Sequence, residues 1–187
     1  FAQYEAINQA LSHFQDYEIA YGRKFETEDC AIGNLVLAGL YLQFDKNFNL
    51  AVEHYQQIFL PDHKRFSVFN ASDGENLYLV AKSETGKIFN DESDVVSNEA
   101  AESIREIGLV PNENGSTSDS TFSNPFQPQP NPDAIRRIEG ADIIIYGPGT
   151  QASSLLPTYL TQGLLSAIIL NRPAKKIFIS NLVPDYD

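Results

Sequence analysis

The chain has 187 residues, 42% of them hydrophobic, which is enough to build a folded domain with a sizeable core. Its formal net charge of −12 argues against binding a polynucleotide, whose phosphates require a basic surface. A single cysteine, Cys30, excludes an internal disulfide and indicates a reducing compartment, so we expect a cytoplasmic protein. We predict no membrane span, and because the chain does not begin with methionine we expect it to be part of a longer one.

The first sixty residues predict three helices. The first occupies much of residues 2–20, with apolar side chains at helical spacing on one face: Tyr4, Ile7, Leu11 and Phe14. Gly33 and Asn34 precede a second, strongly apolar helix that we predict from Leu35. Asn34 either caps that helix or, because an amide both donates and accepts, contacts a base or ribose. Asn49 is the predicted cap of a third helix over residues 50–59.

The middle of the chain changes to a period of two, which indicates strands. Apolar and polar residues alternate over residues 65–68 and 77–82, and Glu84-Thr85-Gly86 predicts a hairpin turn into residues 87–89. We interpret this region as a β-hairpin insert. Residues 111–131 are rich in Pro, Ser, Asn and Gln and have little to bury, so we predict a mobile loop there.

Helical and strand patterns return at Asn131. This residue predicts a helix cap, Pro132 suits the first helical position, and Gly140 ends the helix. The apolar run over residues 142–146 predicts a strand buried on both faces, and residues 176–180 predict its parallel neighbour. A helical stretch broken at Pro157 lies between them, as in a βαβ crossover. We therefore predict a single α/β domain, a Rossmann-like three-layer sandwich with a mainly parallel sheet.

The sequence Gly147-Pro148-Gly149-Thr150 follows the first of these strands and precedes a helix. Glycines at that point let backbone N–H groups approach an anion, and a helix N-terminus favours negative charge, so the pattern predicts a phosphate or nucleotide site. An ordinary turn is the alternative, since Pro148 lacks an N–H donor. No histidine or cysteine spacing indicates a metal site. The candidate nucleotide-binding residues are Gly33, Asn34, Gly147, Pro148, Gly149, Thr150, Ser153, Ser154 and Asn181.

Several of these motifs, in this order, resemble the YvcK/CofD family. The matching segments are Gly33-Asn34-Leu35, Phe69-Asn70-Ala71-Ser72, Asn131-Pro132-Asp133-Ala134-Ile135, Gly147-Pro148-Gly149-Thr150, Ser154 with Pro157, and Asn181-Leu182. The family's N-terminal glycine-rich strand-loop and Asp-rich segment have no counterpart here, so the chain resembles the middle and C-terminal portion of such a protein. Gly149 followed by Thr150 is nearer the YvcK type. The CofD type has serine in place of this glycine, and asparagine follows that serine.

The resemblance implies a small-molecule nucleotide ligand, namely a nucleotide-sugar such as a UDP-sugar, and a regulatory role in carbon metabolism or cell-envelope formation. The alternative that it implies is a CofD-like transferase, which moves a phospho-lactate-type group from a nucleotide diphosphate donor. Any Mg²⁺ that such a site needs would be held by residues outside this chain. A homodimer is compatible with these features. A third hypothesis is a non-catalytic structural domain of a larger protein.

Overall fold

The chain forms two compact units, Phe1–Asn70 and Ala71–Asp187. They are seen in a computed structural model, and the ranges that the structure describes are residues 2–22, 24–28, 30–60, 65–90, 94, 103–111, 122, 125–149 and 155–181.

The first unit is built from three helices: α1 (Ala2–Tyr21), α2 (Ile32–Gln43) and α3 (Phe48–Phe59). Small and aliphatic side chains meet where the helices pack. The buried core consists of Ala10, Val36, Leu40 and Ala51, and partly buried aromatic and aliphatic side chains surround it. The three predicted helices are confirmed, and each contributes at least one buried residue to this core, with partly buried apolar residues beside it.

Three local predictions in this unit were wrong. Helix α2 begins at Ile32, so Gly33 and Asn34 lie inside its first turn instead of preceding it. The cap of α3 is Asn47, whose side-chain oxygen accepts the Leu50 N–H at 3.0 Å, two residues before the predicted cap Asn49. Tyr4 does not face the core, since 70% of its surface is exposed.

Helices α1 and α2 approach closely at Gly39. A Cβ added at Gly39 would lie 1.9 Å from the carbonyl oxygen of Ala10, which is fully buried. No side chain fits between two backbones at that separation, so glycine at this position permits the crossing of the two helices.

The second unit contains a three-stranded antiparallel sheet of β1 (Leu77–Ser83), β2 (Ile88–Phe89) and β3 (Ile104–Pro111), in the order β2-β1-β3. The predicted hairpin between β1 and β2 is confirmed, and the Ser83 hydroxyl accepts the Lys87 N–H across its turn.

Strand β3 was not predicted. Residues 66 and 68 form no strand, and their apolar side chains are exposed. One side of the sheet carries a buried cluster: Leu79, Ala81, Phe89 and Leu109.

Beyond the antiparallel sheet, helices alternate with two parallel strands. The elements are α4 (Pro132–Glu139), β4 (Ile143–Tyr146), α5 (Leu156–Tyr159), α6 (Leu164–Leu170) and β5 (Lys175–Phe178). The predicted start of α4 is confirmed, since the Asn131 side chain accepts the Asp133 N–H and Pro132 occupies the first turn. The predicted parallel pairing is confirmed too, with Ile143 opposite Lys175 and Tyr146 opposite Phe178.

The α/β class is confirmed, but the sheets of the described residues are smaller and more mixed than predicted. One is antiparallel with three strands and the other parallel with two. The prediction that β4 is buried on both faces was wrong, because Ile143 and Ile145 are 52% and 58% exposed. The apolar residues of a strand show which side chains can be buried. Whether they are buried depends on the elements that pack against the strand. A Rossmann-like three-layer sandwich with a mainly parallel sheet stays a prediction.

Most of the 111–131 segment, which we predict to be mobile, lies outside the described residues. Its last part, residues 125–131, is anchored by backbone hydrogen bonds. The Gln129 carbonyl accepts the Asp73 N–H at 2.8 Å, and the Pro128 carbonyl accepts the Gln162 N–H at 2.9 Å. Pro128 is fully buried. These bonds provide partners for a stretch whose prolines cannot themselves donate.

One side chain, Asn171, joins the entries to the two parallel strands. Its amide nitrogen donates to the carbonyl oxygens of Ile138 at 2.7 Å and Ala141 at 2.9 Å, and its oxygen accepts the Ala174 N–H at 3.3 Å. Ala141 leads into β4 and Ala174 leads into β5. Asn171 therefore fixes the first residues of β4 and β5 beside each other, and this sets the register in which the two strands pair.

We expect Gly39→Ala to destabilise the protein by about 1–3 kcal/mol, because the new methyl group forces α1 away from α2. Urea unfolding followed by circular dichroism measures the change. Gly33→Ala, in the same helix, is the matched control, since its Cβ would meet only the movable hydroxyl end of Tyr55. Equal unfolding midpoints for the Gly39 variant and the wild type would contradict a close crossing.

We expect Asn171→Ala to lower the free energy of unfolding by about 1–3 kcal/mol, since it removes three hydrogen bonds, and the Ile138 carbonyl keeps only its bond from the Ala141 N–H. Thermal melting checks this expectation. Asn76→Ala provides the control, because Asn76 is exposed and makes no side-chain hydrogen bond within the described residues. A melting temperature as high as that of the control would show that the hydrogen bonds of the Asn171 side chain do not contribute to stability.

Candidate functional site

The candidate site lies at the carboxyl edge of the parallel pair. Strands β4 and β5 run in the same direction, and the Ile179 N–H donates to the Tyr146 carbonyl at 3.0 Å just beyond their last paired residues. The segments that follow the two strands therefore leave the sheet at one edge. Gly147 is the first residue after β4, and Asn181 follows β5 by three residues. This edge is where open α/β sheets bind ligands.

Gly147 has space around it. A Cβ added at this position would meet nothing within 4 Å, and its backbone is not in the left-handed region. Neither the backbone dihedrals nor a contact with the described residues therefore requires glycine here. A glycine at the carboxyl end of a parallel strand leaves room for a ligand to approach its backbone.

The other two described residues of the turn have different surroundings. Pro148 is exposed, and Gly149 is half-buried with φ of 159°, close to extended backbone. Three further predicted residues, Thr150, Ser153 and Ser154, lie outside the described residues, so their contribution to a phosphate site stays a prediction. The structure therefore places only the first half of the predicted phosphate loop.

The predicted asparagines occupy different units. Asn181 is half-buried near the carboxyl end of β5 and is engaged in an interaction with the rest of the chain. Asn34 lies in the first unit, in the first turn of α2, and its side chain is exposed. Of the two alternatives for Asn34, a helix cap and a ligand contact, the cap is excluded because residue 31 occupies the cap position. A ligand contact from Asn34 stays a prediction.

Two tyrosines that we did not predict stand beside the turn. Tyr146 is the last residue of β4 and Tyr159 the last residue of α5, and their ring centroids lie 6.3 Å apart at an interplanar angle of 74°. Burial raises the pKa of the Tyr159 phenol above its ordinary value of 10.0, and the neighbouring Tyr146 raises the pKa of Tyr159 further. The sequence held one signal, an aromatic residue directly before Gly147, which we had assigned to the strand alone.

The chemistry of this edge is that of hydrogen-bond donors. Among the described residues, no group of three or more His, Cys, Asp and Glu side chains is arranged to hold a metal ion. The turn offers backbone N–H groups and phenol hydroxyls, which suit an anion or a hydroxyl group, whereas Mg²⁺ prefers oxygen ligands. Within the same ranges, no helix has the length and apolar character that crossing a membrane requires.

The family model for the 2-phospho-L-lactate transferase CofD matches residues 2–187, which is nearly the whole chain. The chain belongs to the CofD family. This CofD-family chain is similar to a putative gluconeogenesis factor of Aquifex aeolicus, with 31% identity over 157 residues that make up 83% of the chain. It is also similar to the gluconeogenesis factor of Bacillus subtilis, with 29% identity over 82% of the chain. The suspected YvcK/CofD resemblance is thus confirmed.

Solved structures agree with this assignment. A crystal structure of a UPF0052-family protein from Bacillus halodurans matches with a TM-score of 0.63 and 26% identity over 81% of the CofD-family chain. The chain covers 42% of that protein, 42% of the Aquifex relative and 41% of the Bacillus subtilis relative. Its 187 residues therefore correspond to about two-fifths of the relatives that it matches.

Proposed function

We propose that the protein binds a nucleotide-sugar, namely a uridine diphosphate-sugar, at the carboxyl edge of β4 and β5. The observation that carries the proposal is Gly147, a glycine in open space at the end of a parallel strand. The described part of the turn can offer a phosphate the N–H groups of Gly147 and Gly149, since Pro148 has none, and no described residue lies within 4 Å of the position of a Cβ on Gly147. The predicted continuation through Thr150, Ser153 and Ser154 would supply hydroxyl donors to the same phosphate.

The biological role that we propose is regulation of carbon metabolism or of cell-envelope formation. Relatives over more than four-fifths of the chain carry the name gluconeogenesis factor. A regulatory protein needs to bind its ligand but not to transform it. The donors at the turn are sufficient for such binding.

A transferase is the second candidate function. It is favoured by the family model itself, which is named for the 2-phospho-L-lactate transferase CofD. Transfer of a phospho-lactate-type group from a nucleotide diphosphate donor requires a cation to neutralise the developing charge. Carboxylates that hold such a Mg²⁺ would have to come from outside this chain. Incubation of the full-length protein with the nucleotide diphosphate donor, an alcohol acceptor and Mg²⁺ distinguishes a transferase from a binding protein. Only a transferase would release the nucleoside monophosphate from the donor.

We expect the full-length protein to bind a UDP-sugar more tightly than single- or double-stranded polynucleotides. The turn provides a phosphate site, whereas the net charge of −12 repels a polyanion. Isothermal titration calorimetry with UDP-glucose, GDP, NAD and an oligonucleotide measures the order of affinities. Absence of heat with all three small nucleotides would leave only the structural-domain hypothesis.

Gly147→Val should weaken UDP-sugar binding by about a hundredfold, the effect of losing two charge-assisted hydrogen bonds worth about 3 kcal/mol together. Folding should change far less, since the space around Gly147 is open. Gly149→Val should likewise weaken UDP-sugar binding, because a side chain there would stand between the backbone donors and the phosphate. Calorimetry and thermal melting of the same full-length samples separate the two effects.

The control for these variants is Gly140→Ala, which adds a side chain at the opposite end of β4. Gly140 has φ of −92°, and its Cβ would lie 3.4 Å from the Arg136 carbonyl oxygen, so the variant should fold and bind like the wild type. A Gly147 variant that loses stability and affinity in equal measure would show that this glycine serves the turn and not the ligand.

A further inference from the structure

We propose that Tyr146 and Tyr159 bind the sugar part of the ligand, with their hydroxyls as hydrogen-bonding groups and their rings as an apolar wall. The inference rests on the proposed nucleotide-sugar function and specifies which groups of the protein contact the carbohydrate. It concerns residues that neither the glycine turn nor the family motifs include.

Position is the first argument. Tyr146 directly precedes Gly147, so its ring starts one residue away from the proposed phosphate contact. Side chains alternate along a strand, so Tyr146 and Ile144 point to one face of the pair, while the exposed Ile145 points to the other. Tyr159 meets Tyr146 edge to face on that same side. A ligand whose phosphate lies on the turn has its next group within reach of the two rings.

The hydroxyl groups provide the second argument. Both tyrosines are half-buried, yet within the described part of the chain neither hydroxyl takes part in a hydrogen bond. Neither phenol oxygen is among the buried side-chain atoms that lack a partner, so both hydroxyls can reach a molecule that arrives from solvent. The two rings are neighbours at one place beside the turn. A ligand with several hydroxyl groups can therefore form hydrogen bonds with both.

Protonation supports this chemistry. Burial, and then the proximity of Tyr146, hold the pKa of Tyr159 above 10.0, so the phenol is neutral at physiological pH. A neutral phenol can donate one hydrogen bond and accept others, which matches the hydroxyl groups of a sugar. A sugar also presents C–H groups that pack against aromatic rings. A base stacked between the rings would instead require parallel faces, whereas these rings meet at 74°.

The test uses the full-length protein and two probes, UDP-glucose and UDP, which share the uridine diphosphate part; UDP lacks the hexose and ends in a free β-phosphate. Tyr146→Phe and Tyr159→Phe keep both rings and remove one hydroxyl each. We expect each variant to bind UDP-glucose about tenfold more weakly, the effect of one lost hydrogen bond of about 1.4 kcal/mol, and to bind UDP as the wild type does. Tyr4→Phe, an exposed tyrosine of the first unit, is the matched control.

Each other outcome identifies what fails. If the wild type binds neither probe, the proposed function falls and this inference falls with it. If the wild type binds UDP-glucose and both phenylalanine variants bind it equally well, only the sugar contact is overturned. Equal losses for UDP and UDP-glucose would assign the tyrosines to the nucleotide part of the ligand, which also overturns it. Thermal melting of each variant verifies that the fold is retained.

Discussion

The parallel pairing of β4 and β5 is the constraint on which the candidate site depends. Only because the two strands run in the same direction do Gly147 and Asn181 leave the sheet at the same edge. The pairing is fixed at the opposite edge by Asn171, which binds the residues that enter both strands. Asn171 thus lies far from the proposed ligand, yet it sets the relative position of the two segments that would contact that ligand.

Glycines in this chain illustrate two different physical reasons for the same residue type. At Gly39 the reason is internal, since the backbone of a neighbouring helix occupies the position of a side chain. At Gly147 the described residues give no such reason, since none lies within 4 Å of the position of a Cβ. The first glycine serves stability, and for the second we propose recognition of a ligand. A sequence shows both as the letter G, and only the surroundings distinguish them.

The sequence predicted local structure well where one signal dominates. The cap, proline and glycine around α4 were all correct, because each satisfies or terminates backbone hydrogen bonds within a few residues. The parallel relation of β4 and β5 followed from the helical stretch between them. Predictions that depend on distant neighbours failed. Neighbouring elements decide whether Ile143 and Ile145 are buried and whether a strand forms around Val68. The local sequence does not encode those neighbours.

For the site, the glycine turn was visible in the sequence, whereas the contact between Tyr146 and Tyr159 spans thirteen residues and requires the fold.

The exposed face of the parallel pair has a consequence for handling the polypeptide. Four isoleucines of this face, Ile143, Ile145, Ile177 and Ile179, are each between 45% and 58% exposed. Within the described ranges, β4 and β5 pair only with each other. Backbone N–H and C=O groups along the outer edges of such a pair can template the addition of another strand, and four isoleucines make that addition favourable. We therefore expect these 187 residues, produced by themselves, to associate through this face most strongly at high ionic strength, where the repulsion between chains of net charge −12 is screened.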